Sequence, residues 1–277
     1  MPQPITPSPY LSLDDGATIP QLGYGLYKVP PSDTVRLCRE AIAIGYRHLD
    51  TAAFYGNEEQ VGIAVREADV PRDELYVTSK VWKDDNGFDT TLEAFDRSMA
   101  RLALDQVDLY LIHWPVPSTD RYVDTWRALI RLQEEGRVRS IGVANFHGHH
   151  LERLIDETGV TPVVNQVELH PWLPQAELRE FHERHEIRTE AWSPLARGRV
   201  LGTPLLDELA AKHGRSPAQV VLRWHVQLGN IVIPKASHPE RIRENLDVFG
   251  FELDADDLAA IASLDSGERT GRDPDDD

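Results

Sequence analysis

The sequence predicts an α/β protein of the closed (β/α)8 TIM-barrel type, and three observations carry that prediction. Short apolar runs alternate with amphipathic helical stretches eight times along the chain, the pattern of strand and helix units that build a parallel sheet. The length of 277 residues is close to the roughly 250 of a typical barrel of this kind. The rival open, doubly wound sheet needs Gly-x-Gly-x-x-Gly after its first strand. Here Gly23-Tyr24-Gly25 is followed by Leu26-Tyr27-Lys28, so these glycines read instead as a close approach of backbone and ligand at the strand's end.

Two alternating segments between Tyr10 and Pro20 flank Asp14-Asp15-Gly16, and Asp-Gly between apolar runs signals a hairpin, here an N-terminal cap over residues 10–20. Strands are expected at Gln21–Leu26, Arg47–Asp50, Leu75–Lys80, Leu109–Trp114, Ser140–Ala144, Val163–Glu168, Arg188–Trp192 and Ile231–Pro234. The helical period places helices at Asp33–Ile44, Glu58–Glu67, Thr91–Leu102, Tyr122–Glu135, His149–Glu157, Ala176–His185, Pro204–His213 and Pro239–Val248. Ser32 and Asp89 are the expected N-caps of two of them. Extra helices are expected after the barrel proper, and residues 268–277, ending Asp273-Pro-Asp-Asp-Asp277, read as a solvated, disordered acidic tail. No linker or repeat interrupts the pattern, so residues 1–277 are expected to form one domain.

Composition narrows the function. The chain is 41% hydrophobic and 27% charged, a globular balance without an apolar run of the roughly 18 residues that a membrane span requires. A formal net charge of −17 argues against nucleic acid or an anionic membrane as partner, because both call for a basic footprint. The start MPQPITPSPY lacks the basic and apolar regions of a secretory signal, and Cys38, the single cysteine, permits no internal disulfide; both point to the cytoplasm.

A barrel builds its active site at the carboxyl ends of its strands, so polar residues that end the expected strands belong together. Asp50 closes the second strand, Tyr55 follows in the next loop, Lys80 closes the third, and His113 lies near the end of the fourth, before Trp114-Pro115. Singly, each has an ordinary structural reading as cap, rim packing, surface lysine or core histidine. Together they are chemically coherent. A phenol with a reference pKa of about 10 is a poor acid until a cation stabilises its phenolate. Lys80 is expected to be that cation, Asp50 to hold Lys80 charged, and His113 to orient a carbonyl.

A second, anionic site is expected where the loops after strands seven and eight meet a helix N-terminus. Trp192-Ser193-Pro194-Leu195-Ala196-Arg197-Gly198 and Pro234-Lys235-Ala236-Ser237-His238-Pro239-Glu240-Arg241 supply those loops. In so acidic a chain, Lys235 and Arg241 read as a local basic clamp, or as ordinary helix-flanking charges.

The stretch Gly45-Tyr46-Arg47-His48-Leu49-Asp50-Thr51-Ala52-Ala53-Phe54-Tyr55-Gly56-Asn57-Glu58 resembles the signature of the aldo-keto reductase superfamily. The likeness continues through Val77–Trp82, Asp105–Pro115, Ser140–Phe146 and Asn165–Pro171 and spans Tyr10 to Gly267. Pro20–Pro31 and Leu102–Tyr110 most resemble the bacterial 2,5-diketo-D-gluconate reductase group. The resemblance implies NADPH-dependent reduction of carbonyl compounds by direct hydride transfer, with a catalytic tetrad of Asp50, Tyr55, Lys80 and His113 and Tyr55 as general acid. It implies that Lys235 and Arg241 bind the 2′-phosphate, Glu244 and Asn245 the adenine, and Ser193 and Leu195 the pyrophosphate, with Gly25 at the close approach. Asn145 and Gln166 would hold the nicotinamide carboxamide and Trp192 would stack on the ring. Tyr24, Trp82 and Trp114 would line the substrate pocket with Tyr55 and His113. A monomer is the usual state of such proteins.

Ala144 and Ala236 stand where the family usually has serine. Each removes a hydroxyl and with it a hydrogen bond of roughly 1.5–3 kcal/mol to a charged group. Ser237 is placed to compensate, and NADH is the alternative cofactor. A short loop at Val116–Arg121 and little chain after the last helix suggest an open site for small or polar carbonyls such as keto sugars, dicarbonyls and aldehydes. The same site could work mainly as an NADP-dependent alcohol dehydrogenase, or the barrel could bind NADPH as a redox-sensing partner protein with little turnover. His147-Gly-His-His150 and His182-x-x-His185 have no Cys or carboxylate at a metal-site spacing. They read as turn and exposed-helix histidines, and no metal is expected.

Overall fold

Regular structure begins with a hairpin at Tyr10. In the computed structural model, which describes residues 5–276, β1 (Tyr10–Ser12) and β2 (Thr18–Pro20) pair antiparallel around Asp14-Asp15-Gly16. Leu13 and Ile19 of this hairpin are buried in one cluster with Tyr76, Leu109, Leu111, Val164 and Ile231. The hairpin thus closes one end of the barrel, and each buried aliphatic side chain contributes about 1.5–3 kcal/mol.

Eight parallel strands follow, each bonded to the next in sequence: β3 (Tyr24–Gly25), β4 (His48–Asp50), β5 (Tyr76–Val81), β6 (Val107–Ile112), β7 (Val138–Ala144), β8 (Val164–Glu168), β9 (Arg188–Trp192) and β10 (Ile231–Val232). The ring closes where Leu22 pairs with Val232, and where the amides of Gly23 and Gly25 donate to Val232 O (2.8 Å) and Pro234 O (3.2 Å). Gly25 is required there, because a Cβ would stand 2.6 Å from Ile233 O. The expected strands are all present, but the first and last are short. Pro234 has no N–H to continue the last ladder, and β6 stops at Ile112, so His113 lies just past its end.

The helices are α1 (Pro31–Ile44), α2 (Glu58–Arg66), α3 (Phe88–Leu102), α4 (Tyr122–Glu134), α5 (Gly148–Thr158), α6 (Ala176–Arg184), α7 (Pro204–His213), α8 (Pro217–Gln227), α9 (Pro239–Leu246) and α10 (Ala255–Ala262). α3 shows why they lie on the sheet: Thr91, Ala94, Phe95, Ser98 and Leu102 recur at helical spacing and are its buried face. Neither expected N-cap is one. α1 starts at Pro31, whose fixed φ and missing N–H suit a first helical position, so Ser32 lies inside it. Asp89 is the second residue of α3, after Gly87. Between β9 and β10 the chain makes two helices where one was expected.

The acidic tail is docked through residues 270–275, with Asp275 and Asp276 themselves exposed to solvent; Asp277 lies outside the described residues. Thr270 donates from N (2.6 Å) and Oγ1 (2.5 Å), and Gly271 from N (3.1 Å), to Oε1 of buried Glu168. Asp273 meets His147 Nε2 at 2.9 Å, and Asp275 lies 3.2 Å from His150 Nε2. The histidine runs are therefore not as expected. His150 is buried at the start of α5, and His182 is buried with its ring nitrogens against Asn165 and Thr189. The carboxylates missing from the local sequence come from the tail. Because His150 Nδ1 accepts the His147 amide (3.1 Å), its neutral ring carries the proton on Nε2, facing Asp275.

Candidate active site

The carboxyl ends of β4 and β5 bring Asp50 and Lys80 together. Lys80 Nζ donates to Asp50 Oδ1 (2.8 Å), Asp50 Oδ2 (2.7 Å) and Thr51 O (2.9 Å), which engages all three ammonium hydrogens. Both side chains are buried, so loss of either would leave a buried charge without its partner. The loop after β4 carries Tyr55 on a single 3-10 turn, Ala53–Tyr55. Asn57 clamps that loop: it accepts from Thr51 Oγ1 (2.7 Å) and donates to Leu26 O (3.1 Å) and Val29 O (3.2 Å). The sequence reading missed Asn57, although a buried amide between two loops is a natural spacer.

Lys80 Nζ lies 5.1 Å from the centroid of the Tyr55 ring. Its three hydrogens are engaged by Asp50 and Thr51, so the ammonium faces the phenol as a charge with no hydrogen left to give it. Burial, then the charge of Asp50, with smaller contributions from Tyr27 and Glu190, hold the Tyr55 hydroxyl well above the ordinary tyrosine range. The phenol keeps its proton and can give it only to a group that becomes strongly basic. The His113 ring meets Tyr55 edge-on at 5.7 Å and Trp82 at 5.1 Å. Burial first and the Lys80 charge second push His113 well below the ordinary histidine range, so it is neutral. Its Nδ1 is buried without a hydrogen-bond partner among the described residues.

These groups face a cavity of about 1320 Å³, larger than the roughly 300–1,000 Å³ of most ligand sites. It is lined by every residue proposed from the sequence except Lys80, which lies beneath its floor, and Tyr24. Tyr24 is a correction. Its side chain is fully buried, donates to Ala236 O (2.6 Å) and packs edge-on against Tyr46. The aromatic that reaches the mouth from this segment is Tyr27, and Phe54 stacks on Trp82 with centroids 3.9 Å apart. Trp114 is half-buried beside them.

The opposite wall comes from β7 to β10. Asn145, in left-handed backbone at φ 63°, donates from Nδ2 to His113 O (2.9 Å) and accepts from Trp192 Nε1 (2.8 Å). Gln166 Nε2 donates to Asp50 Oδ2 (2.9 Å). After β9 the chain turns sharply through Ser193, Ala196 and Arg197, all at positive φ. Beyond lie Leu195, Lys235, Ser237, Arg241, Glu244 and Asn245. Lys235 Nζ donates to Ser237 Oγ at 2.6 Å, which brings that hydroxyl beside the basic clamp. Glu244 accepts from Ser216 Oγ. Ser216 also caps α8, whose first residues line the cavity. That helix start was legible in Ser216-Pro-Ala-Gln219, a capping box with proline at the first position.

Lys28, Lys83, Arg197, Lys235, Arg241 and Arg272 all line the cavity. None of them has a carboxylate within 4.0 Å among the described residues. Six free cations around one mouth, in a chain of net charge −17, fit a polyanionic ligand. The tail forms part of the rim, with Gly271 packed on Trp192 so closely that a Cβ would stand 2.5 Å from its ring.

Known proteins share the sequence and the fold of this chain. A profile of the aldo/keto reductase family matches residues 21–266. An aldo-keto reductase of Mycolicibacterium smegmatis is 53% identical over 267 residues, covering 96% of this chain and 97% of the relative. The methylglyoxal reductase DkgA of Escherichia coli is 50% identical over 267 residues, 96% of either chain. Among solved structures, a mutant of Gox0644 in complex with NADPH superposes with a TM-score of 0.94 at 50% identity, over 98% of this chain and 99% of that one. An aldo/keto reductase from Brucella melitensis superposes with a TM-score of 0.91 at 54% identity, over 94% and 99%.

Proposed function

The chain belongs to the aldo/keto reductase family, and on that premise we propose that it reduces small or polar aldehydes and ketones to alcohols, with Tyr55 as the proton donor. The family's cofactor is NADP(H), seen as NADPH or NADP in related structures. The free cations of the cavity wall fit its phosphates: Lys235, Ser237 and Arg241 would hold the 2′-phosphate, Ser193 and Leu195 the pyrophosphate, and Glu244 and Asn245 the adenine. Gly25 lies at the close approach, and Asn145, Gln166 and Trp192 would hold the nicotinamide. Bound there, NADPH supplies the hydride.

The observation that carries the reading is the placement of the Tyr55 phenol on the cavity, with its ring centroid 5.1 Å from Lys80 Nζ and its ring edge-on to His113, where burial and the Asp50 charge hold it above the ordinary tyrosine range. A carbonyl oxygen gains basicity only as it gains negative charge, and the phenol then transfers its proton to it. Lys80, held charged by Asp50, steadies the phenolate left behind. Neutral His113 can donate one hydrogen bond to the carbonyl oxygen and so fix its orientation. The aromatic rim of Tyr27, Phe54, Trp82 and Trp114 grips a small carbonyl body and leaves its polar end toward Tyr55 and His113. Methylglyoxal reductases at half identity favour small dicarbonyls within this class.

The test follows NADPH oxidation against methylglyoxal, diketones, keto sugars and simple aldehydes, with Tyr55→Phe beside the wild type. The expected result is turnover of at least one class by the wild type and a loss of about a thousandfold or more in the variant. Equal rates for the two proteins overturn the reading.

A further inference from the structure

Glu190 is a buried carboxyl that the reaction as described does not use. It lies on β9, two residues before Trp192, and its side chain is fully buried inside the barrel. Gln166 Nε2 donates to Glu190 Oε2 at 2.9 Å and to Asp50 Oδ2 at 2.9 Å. Both hydrogens of the amide nitrogen are therefore spent on carboxyl groups, and the amide oxygen is the atom left for a ligand. Glu190 Oε1 has no hydrogen-bond partner among the described residues.

The charges around Glu190 are nearly balanced without it. Asp50 and Lys80 form a closed pair above it. His48 on β4 approaches Oε1 to 3.9 Å, but burial and the Lys80 charge push that imidazole down to about 3, so it brings no cation. The remaining titratable neighbours, Tyr55 and Tyr76, have hydroxyls that the Glu190 charge pushes further up. Burial and then the Asp50 charge, against the Gln166 hydrogen bond and Lys80, move Glu190 up to about 8. A carboxyl in that range is mostly protonated at neutral pH.

We propose that Glu190 is a positioning residue for carbonyl reduction: it fixes Gln166 with its amide oxygen free for the cofactor carboxamide, and its charge state sets how readily Tyr55 releases a proton. This rests on the reductase reading given above. Neutral Glu190 leaves the Lys80–Asp50 pair balanced beneath the phenol. Ionised Glu190 places an uncompensated negative charge in the barrel and weakens Tyr55 as an acid, so reduction slows as Glu190 loses its proton.

The experiment uses Glu190→Gln, which keeps the side-chain shape and an acceptor for Gln166 but cannot ionise. Infrared spectroscopy of the whole wild-type protein should show the carbonyl stretch of a buried carboxylic acid at about pH 6.5, lost by about pH 9.5 and absent from the variant. With methylglyoxal and NADPH, wild-type kcat should fall about fivefold to tenfold between about pH 7 and about pH 9.5, and that of the variant less than about twofold. No titrating band in the wild type, or an active wild type whose pH profile superimposes on the variant's, overturns the proposal. A wild type that turns over no carbonyl overturns the reductase reading and this proposal with it.

Discussion

Lys80 Nζ lies 5.1 Å from the centroid of the Tyr55 ring and gives every hydrogen it has to Asp50 and Thr51. The cation thus faces the phenol ring without bonding to it, and is held in place by its own counter-ion.

Lys80→Met leaves Asp50 buried and uncompensated, and is expected to destabilise the fold by about 3–5 kcal/mol. Asp50→Leu combined with Lys80→Met removes both charges and should recover much of that loss. Neither variant should reduce carbonyls at more than about a thousandth of the wild-type rate. Urea unfolding with NADPH oxidation checks both halves. A single variant as stable as the wild type would show that the pair does not carry the charge balance.

Lys235→Ala and Arg241→Ala should each raise KM for NADPH about tenfold to a hundredfold, the loss of one charge-assisted contact. KM for NADH, which lacks the 2′-phosphate, should stay within about twofold of the wild type. Steady-state kinetics with either cofactor decides it. Equal effects on the two cofactors would move these residues away from the 2′-phosphate.

The tail is held by a buried carboxylate. Burial raises the pKa of Glu168, but hydrogen bonds from His170, from the Thr270 hydroxyl and amide and from the Gly271 amide outweigh it, and the result is lowered. A lowered carboxyl contributes stability above the unfolded-state value of about 4.3 and loses it as pH falls through the folded value. The tail should therefore loosen in acid. Glu168→Gln should loosen it at neutral pH, with trypsin cutting after Arg269 and Arg272 about tenfold faster than in the wild type. Mass spectrometry of a digestion time course reads this directly, and unchanged cleavage would show that the tail is held elsewhere.

Gly25→Ala is expected to lower stability by about 1–3 kcal/mol, since the new methyl meets the Ile233 carbonyl, which is backbone and cannot turn away. For a chain of this size that is a Tm loss of about 3–10 °C. Calorimetry measures it, and an unchanged Tm would mean that β3 and β10 can part at little cost.

The candidate site was legible because one rule, that barrel sites form at the carboxyl ends of strands, brings four scattered residues to one end of the barrel, three on the cavity wall and Lys80 beneath it. Tyr24 was misplaced for a local reason. β3 spans only Tyr24–Gly25, too short for alternation to show which face a side chain takes, and Tyr27 reaches the mouth instead. The docked tail was not legible, because an acidic run carries no sign of a partner. Its partners, Glu168, His147 and His150, lie more than a hundred residues away. Glu190 was passed over for a similar reason: in sequence it is one more polar residue in a strand, and only the closed barrel turns it toward Gln166 and Asp50.

Barrel closure also orders events in time. Tyr24 and Ala236, joined by a hydrogen bond, are 212 residues apart, and the bonds from Gly23 and Gly25 to Val232 and Pro234 are as distant in the chain. Contacts of such separation are slow to form, because the loop they close must be ordered first. A chain emerging from the ribosome carries Asp50, Tyr55, Lys80 and His113 long before Lys235 and Arg241 exist to face them. Reductive capacity therefore arrives late and all at once, and acquisition of NADPH binding can serve as a clock for the final step of folding.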